Sequence, residues 1–148
     1  MYDQSVRVLV CGGRDFNDAS TLREILDQVH EDLNISCIIE GGARGADRLA
    51  GAWALVSGID REVYHADWNR YGRRAGYLRN VQMANEGKPD LVIAFPGGRG
   101  TAMMESIAKD RSIPVYKAKE WMIRRVSVHG YGSLKCCLAT AMEMTGER

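Results

Sequence analysis

No stretch of this sequence stays apolar for the roughly 18 residues that a membrane-spanning helix needs, so no membrane partner is expected. Residues 1–10 lack the basic start and long apolar centre of an export signal. An excess of one charge is missing too: 20 lysines and arginines face 19 acids, for a formal net charge of +1. That near-balance removes the global basic field that a nucleic-acid or membrane-surface binder uses. Cysteine is sparse and unpatterned. The four stand at 11, 37, 136 and 137, with no C-x-x-C spacing and no histidine arrangement beside them. No metal site and no cofactor is expected; reduced, buried thiols in a cytoplasmic protein are the reading. The histidines at 30, 65 and 129 stand alone and are expected to be structural.

What is present suffices for one domain with a real core: 148 residues, 45% of them hydrophobic and 26% charged. The organising stretch is Asp90-Leu91-Val92-Ile93-Ala94-Phe95-Pro96-Gly97-Gly98-Arg99-Gly100-Thr101. Its short apolar run reads as a strand buried on both faces and stops at Pro96, which cannot donate a ladder hydrogen bond. The glycines let the backbone turn and expose its N–H groups. Thr101 is read as an N-cap, with Met103, Met104, Ile107 and Ala108 on the apolar face of the next helix. A strand, a glycine loop and a helix N-terminus together make an anion site, and Arg99 adds a fork suited to phosphate.

The same punctuation recurs. Residues 6–11 read as a strand ending at Gly12-Gly13-Arg14-Asp15, and a helix capped by Asn17 or Asp18 carries Leu22, Ile25, Leu26 and Val29. Residues 35–40 read as a second strand, broken by Gly41-Gly42-Ala43-Arg44-Gly45-Ala46-Asp47. A helix through Leu49, Ala52, Trp53 and Val56 follows, with Gly58 as its C-cap and a third strand at 61–65. The polar, aromatic and basic loop 67–74 leads to a helix at 75–85 striped by Tyr77, Leu78, Val81 and Ala84. Another strand is expected at 113–116. Such alternation argues a parallel sheet covered on both faces, with ligands outside the carboxyl ends of its strands.

The glycine motifs differ in what they specify. The loop 96–101 lacks the Gly-Lys-Ser/Thr of a Walker A and the third glycine of a dinucleotide fingerprint. Gly41-Gly42 with Arg44 could cradle a second phosphate or a ribose, while Asp47 reads more simply as an acid favoured by the helix dipole. Gly12, Gly13 and Arg14 close over a base or ribose, or form a structural turn. Asp67, Trp68 and Tyr71 among arginines 70, 73, 74 and 79 suit stacking on a base while holding a phosphate.

Taken together, Cys11 to Phe16, Gly41 to Asp47, Ala66-Asp67-Trp68 with Tyr71-Gly72 and Ala75-Gly76, Arg79-Asn80 with Met83, and Pro96 to Thr101 resemble the YspA-like (cpYpsA-related) SLOG family. The likeness runs from about Val6 to Tyr116. That family belongs with the LOG and DprA proteins. It implies a Rossmann-like three-layer α/β sandwich with a mostly parallel sheet and a nucleotide-type ligand. The sandwich is expected over 1–118, with 119–148 as an extension packed on it; residues 121–128 read as a strand or helix end, and Ser133 as the cap of a short helix.

LOG enzymes cleave the N-glycosidic bond of nucleoside 5′-monophosphates. Arg79 matches the arginine of their Arg-Lys-x-x-Met motif, and Pro96, Gly97, Gly98, Arg99, Gly100 and Thr101 match their glycine loop. The acids depart from the pattern: Glu105 comes one position after the second family glutamate, about 100° further around a helix. Arg79 and Glu105 are the catalytic candidates by this resemblance, with Asp15 or Asp47 as substitutes for the acid. Two other readings stand beside the hydrolase: a non-catalytic sensor of a nucleotide signal and a DprA-like single-strand binder. The near-neutral charge speaks against the latter. The resemblance also implies a homo-oligomer of phage or bacterial type.

Overall fold

The structure is a computed structural model, and it describes residues 4–118. The expected elements at 121–128 and after Ser133, with the whole extension 119–148, lie outside the described residues, as do His129, Cys136 and Cys137.

Five strands form the sheet: β1 (Val6–Cys11), β2 (Ile35–Glu40), β3 (Asp60–Val63), β4 (Leu91–Ala94) and β5 (Val115–Lys117). Their spatial order is β3-β2-β1-β4-β5, and every neighbouring pair is parallel. The α/β architecture is therefore as expected, with a fully parallel sheet among the described residues. The burial pattern explains why: β4 is buried at all four positions, as a strand covered on both faces must be. Period-2 alternation then divides β1 between two cores. Val8 and Val10 join Leu22, Ile25, Leu26, Val29 and Ala50 on one face, under α1 (Ala19–Leu33) and α2 (Ala46–Ser57). Leu9 and Cys11 join Met83, Met104 and Ile107 on the other, under α4 (Ala75–Glu86) and α5 (Arg99–Asp110). The short α3 (Trp68–Tyr71) and a 3-10 turn at Gly72–Arg74 precede α4.

Local chemistry sets the element ends. Asp18 caps α1 by accepting from the Thr21 N–H at 3.1 Å and the Thr21 hydroxyl at 2.6 Å. Trp53 donates its indole N–H to Asp27 at 2.8 Å, fastening α2 to α1. His30 accepts from the Ile35 N–H at 3.0 Å and sets its ring edge-on to Trp53, the structural role expected of it.

Several expectations need correction. The buried stripe of α2 is Ala46, Ala50, Trp53 and Ala54, so small residues bring the helix close to the sheet while Leu55 and Val56 stand 80% and 88% exposed. Of the stripe read from the sequence, Trp53 is buried and Leu49 partly so. On α4 the core face runs through Ala75, Asn80, Met83 and Ala84, with Tyr77 turned outward. The segment read as a loop at 67–74 is helical, because Asp67 accepts from the Arg70 N–H and caps α3. Thr101 is not an N-cap. Gly98 holds that position and Thr101 lies buried in the first turn of α5. Strand β3 begins one residue earlier and ends before Tyr64, and β5 starts at Val115 rather than Ile113.

Candidate functional site

The strand order reverses at β1, which has β2 on one side and β4 on the other. At such a switch point successive crossovers leave in opposite directions, so a crevice opens outside the carboxyl ends. The three glycine loops meet there. The Gly13 N–H donates to the Pro96 carbonyl at 2.9 Å, joining the first loop to the third. The Ala46 N–H donates to the Gly13 carbonyl at 3.3 Å, joining the second to the first.

Several glycines in this nest are demanded by packing, Gly12, Gly45 and Gly97 of the third loop among them. A Cβ on Gly12 would stand 2.6 Å from the Ala46 Cβ and 2.9 Å from the Phe95 Cβ. Gly45 has φ +84°, and a Cβ there would run into the Gly13 and Arg14 carbonyls. By contrast, a Cβ on Gly98 or Gly100 would meet nothing within 4 Å. Packing does not explain Gly100, which costs a helix about 0.5–1 kcal/mol relative to alanine. An approaching ligand would explain it.

No side chain caps α5, so the N–H groups of its first turn project beside Gly97 and Gly98 without an intrahelical acceptor. The N-terminus of α2 also has no side-chain cap; in the loop before it, the Gly42 N–H goes to Glu40 and the Ala43 N–H to Asp47, both at 3.2 Å. At the expected cradle of Gly41 and Gly42, these two donors already serve the chain's own acids.

Arg79 links the parts. Its guanidinium donates to the Gly41 carbonyl at 2.7 Å and to the Asn80 side chain at 3.0 Å, and Asn80 donates to the Gly100 carbonyl at 3.3 Å. One pair of residues on α4 therefore grips both the second and third loops. Burial lowers the Arg79 pKa, while Asp47 and Glu40 pull it back. Burial raises Asp47 and raises Glu40 to about 7; the Gly42 N–H opposes the latter and Asp47 reinforces it. Sequence reasoning missed Glu40 because it looks like the polar end of a strand. Its tell was an acid that closes an apolar run directly before Gly-Gly.

A cleft of about 370 Å³ opens beside this nest, lined by Arg14, Gly41, Gly42, Arg44, Arg48, His65, Trp68 and Arg79. Arg14 stacks over the Trp68 ring at 5.6 Å. Of the residues picked from the sequence, the cleft gathers Arg14, Gly41, Gly42, Arg44, Trp68 and Arg79. Gly12 and Gly13 form the ridge between it and the loop of Pro96, Gly97, Gly98, Arg99, Gly100 and Thr101. Asp67 is spent as a cap. Asp15 is exposed and pairs with Arg44 at 3.3 Å. Glu105, partly buried, lies outside the cleft lining with Lys117 at 3.9 Å. Arg48 and His65 were not picked out as binding residues, and His65 lines the cleft instead of serving the core. Burial pushes the Cys11 thiol up, with the Asp47 and Glu105 charges adding to it, so Cys11 stays a thiol and not a nucleophile. No cluster that could hold a metal occurs among the described residues.

A parallel sheet with a glycine-lined crevice at its switch point defines a Rossmann-like α/β protein. The model of the YspA, cpYpsA-related SLOG family matches residues 6–71. The Gene 61 protein of Mycobacterium phage D29 is 38% identical over 117 residues, spanning 74% of this chain and 93% of that protein. The chain belongs to the YspA, cpYpsA-related SLOG family. Among solved structures, the UDP-GlcNAc 2-epimerase from Neisseria meningitidis bound to UDP-GlcNAc is similar at 15% identity and a TM-score of 0.47. That likeness covers 75% of this chain and 31% of the epimerase chain.

Proposed function

We propose that the chain binds a nucleotide or nucleotide derivative across the carboxyl ends of its strands, with a phosphate seated on the N-terminus of α5. The observation that carries this reading is the open α5 end: uncapped first-turn N–H groups next to two glycines whose missing side chains leave clear space. Backbone donors and the positive dipole end both favour an anion there. Arg79 and Arg99 supply charge, and Trp68 offers a face for a base. Family membership supports a nucleotide-type ligand.

In its enzymatic form the site is a LOG-like phosphoribohydrolase. Cleavage of the N-glycosidic bond develops oxocarbenium character that a carboxylate must stabilise; the family resemblance makes Glu105 the candidate for that role, with Arg79 orienting the phosphate. A second reading, a non-catalytic nucleotide sensor, draws on the state of the acids. Glu40 and Asp47 are buried and accept from backbone N–H groups, while Glu105 has Lys117 beside it. A proton and phosphorus NMR time course with a panel of nucleoside 5′-monophosphates separates the two. Free base and ribose 5-phosphate, lost in Glu105→Ala and Arg79→Ala, establish the hydrolase. Broadened phosphate signals without turnover leave a binding protein, and neither effect with any member counts against simple mononucleotides and points to a larger nucleotide derivative.

A further inference from the structure

The arginine cleft has a chemistry that one phosphate on α5 does not use. Its backbone donors at Gly42 and Ala43 are taken by Glu40 and Asp47, and side-chain cations make up much of the rest of its lining. Arg14, Arg44, Arg48 and Arg79 share its lining with His65. Arg44 is paired with Asp15 on the exposed rim, and Arg79 stands in the field of Asp47. Among the described residues, neither Arg14 nor Arg48 forms an ion pair with a carboxylate. The cations also oppose one another: burial is the main force lowering the Arg79 pKa, and the Arg14 charge adds to it against Asp47. Like charges gathered in a cleft, with their own carboxylates behind them, are relieved by an anion placed between them. Guanidinium forks fit phosphoryl oxygens in particular.

The cleft and the α5 end are separate stations. Gly13 packs on Pro96 and Gly97 and forms the ridge between them, with Arg14 as the next residue along. A single phosphoryl group has three free oxygens, and the first-turn N–H groups of α5 can occupy them without drawing on Arg14 or Arg48.

We propose that the cleft is a second phosphoryl site, held by Arg14 and Arg48, so that the nucleotide recognised at the strand ends carries two phosphoryl groups. This rests on the nucleotide reading above, in which the first phosphate sits on α5. His65 and Trp68 share the lining of the cleft.

The test is isothermal titration of the full chain with AMP, GMP, ADP and GDP. For the preferred base, the diphosphate binds about 10- to 100-fold more tightly than the monophosphate, the gain of one or two charge-assisted contacts. Arg48→Gln reduces that ratio to within about threefold of unity, because it removes one of the cations that hold the additional group. Arg23→Gln, which removes the same charge from an exposed position on α1 outside the cleft lining, leaves the ratio intact. Equal affinity for mono- and diphosphates, or a ratio that survives Arg48→Gln, overturns the second site and leaves nucleotide binding standing. Failure of all four ligands to bind overturns both.

Discussion

Glu40 is 3% exposed and Asp47 8%, yet both are acids at the end of a strand and the start of a helix, behind a half-buried arginine. Holding two carboxylates together out of water raises the proton affinity of each. The consequence for stability has a definite sign. The folded protein keeps the Glu40 proton to about pH 7, whereas the unfolded chain releases it near the usual 4.5. Folding therefore becomes less favourable as pH climbs through that window, by about 1–3 kcal/mol from this group. Glu40→Gln keeps an acceptor for the Gly42 N–H and removes the titration. Urea denaturation should show the variant gaining on the parent protein between about pH 5 and about pH 8; a constant difference would contradict this account of Glu40. Arg79 was legible in the sequence through its motif with Met83. Glu40 left only a faint trace, an acid closing an apolar run before Gly-Gly, because its burial arises from tertiary packing around the end of β2.

At the scale of elements, the glycines divide into those that pack, such as Gly12, Gly45 and Gly97, and Gly98 and Gly100, which face open space. Gly45 carries a left-handed φ and abuts two carbonyls, so Gly45→Ala should cost about 2 kcal/mol or more. Gly100 lies in a helix facing empty space, so Gly100→Ala should stabilise the fold by up to about 1 kcal/mol and weaken nucleotide binding. Chemical denaturation and a binding titration on the two variants check both; a Gly100→Ala that binds as well as the parent would contradict a phosphate on α5. The order and type of the strands and the main helices were legible because β1, β2 and β4 are short apolar runs closed by glycine or proline. The helix faces were less so. In α2, Leu49, Ala52 and Val56 look like a stripe by hydrophobicity, but alanines are what let the helix sit close to the sheet, and the larger residues at 55 and 56 turn outward. In α5, Gly98 takes the cap that Thr101 suggested by composition, because the chain turns into the helix three residues earlier.

The whole molecule turns on the reversal of strand order at β1, which brings loops from β1, β2 and β4 into contact although they are far apart in sequence. Alternating strands and helices made this crevice readable before any coordinates, since a parallel sheet with right-handed crossovers leaves few other arrangements. The division of labour within it was not readable: the Gly42 and Ala43 donors serving the chain's own acids, Gly98 and Gly100 facing open space, and an arginine cleft to one side. The most direct test is an amide chemical-shift titration of the labelled protein with its best-binding nucleotide. The expected result is large shifts at Arg99, Gly100 and Thr101 and smaller ones at Gly13, Gly42 and Ala43, with the amino ends of the strands, such as Val6 and Leu91, unmoved. Saturable binding that leaves Arg99, Gly100 and Thr101 unshifted would contradict the claim that the α5 end holds the phosphate.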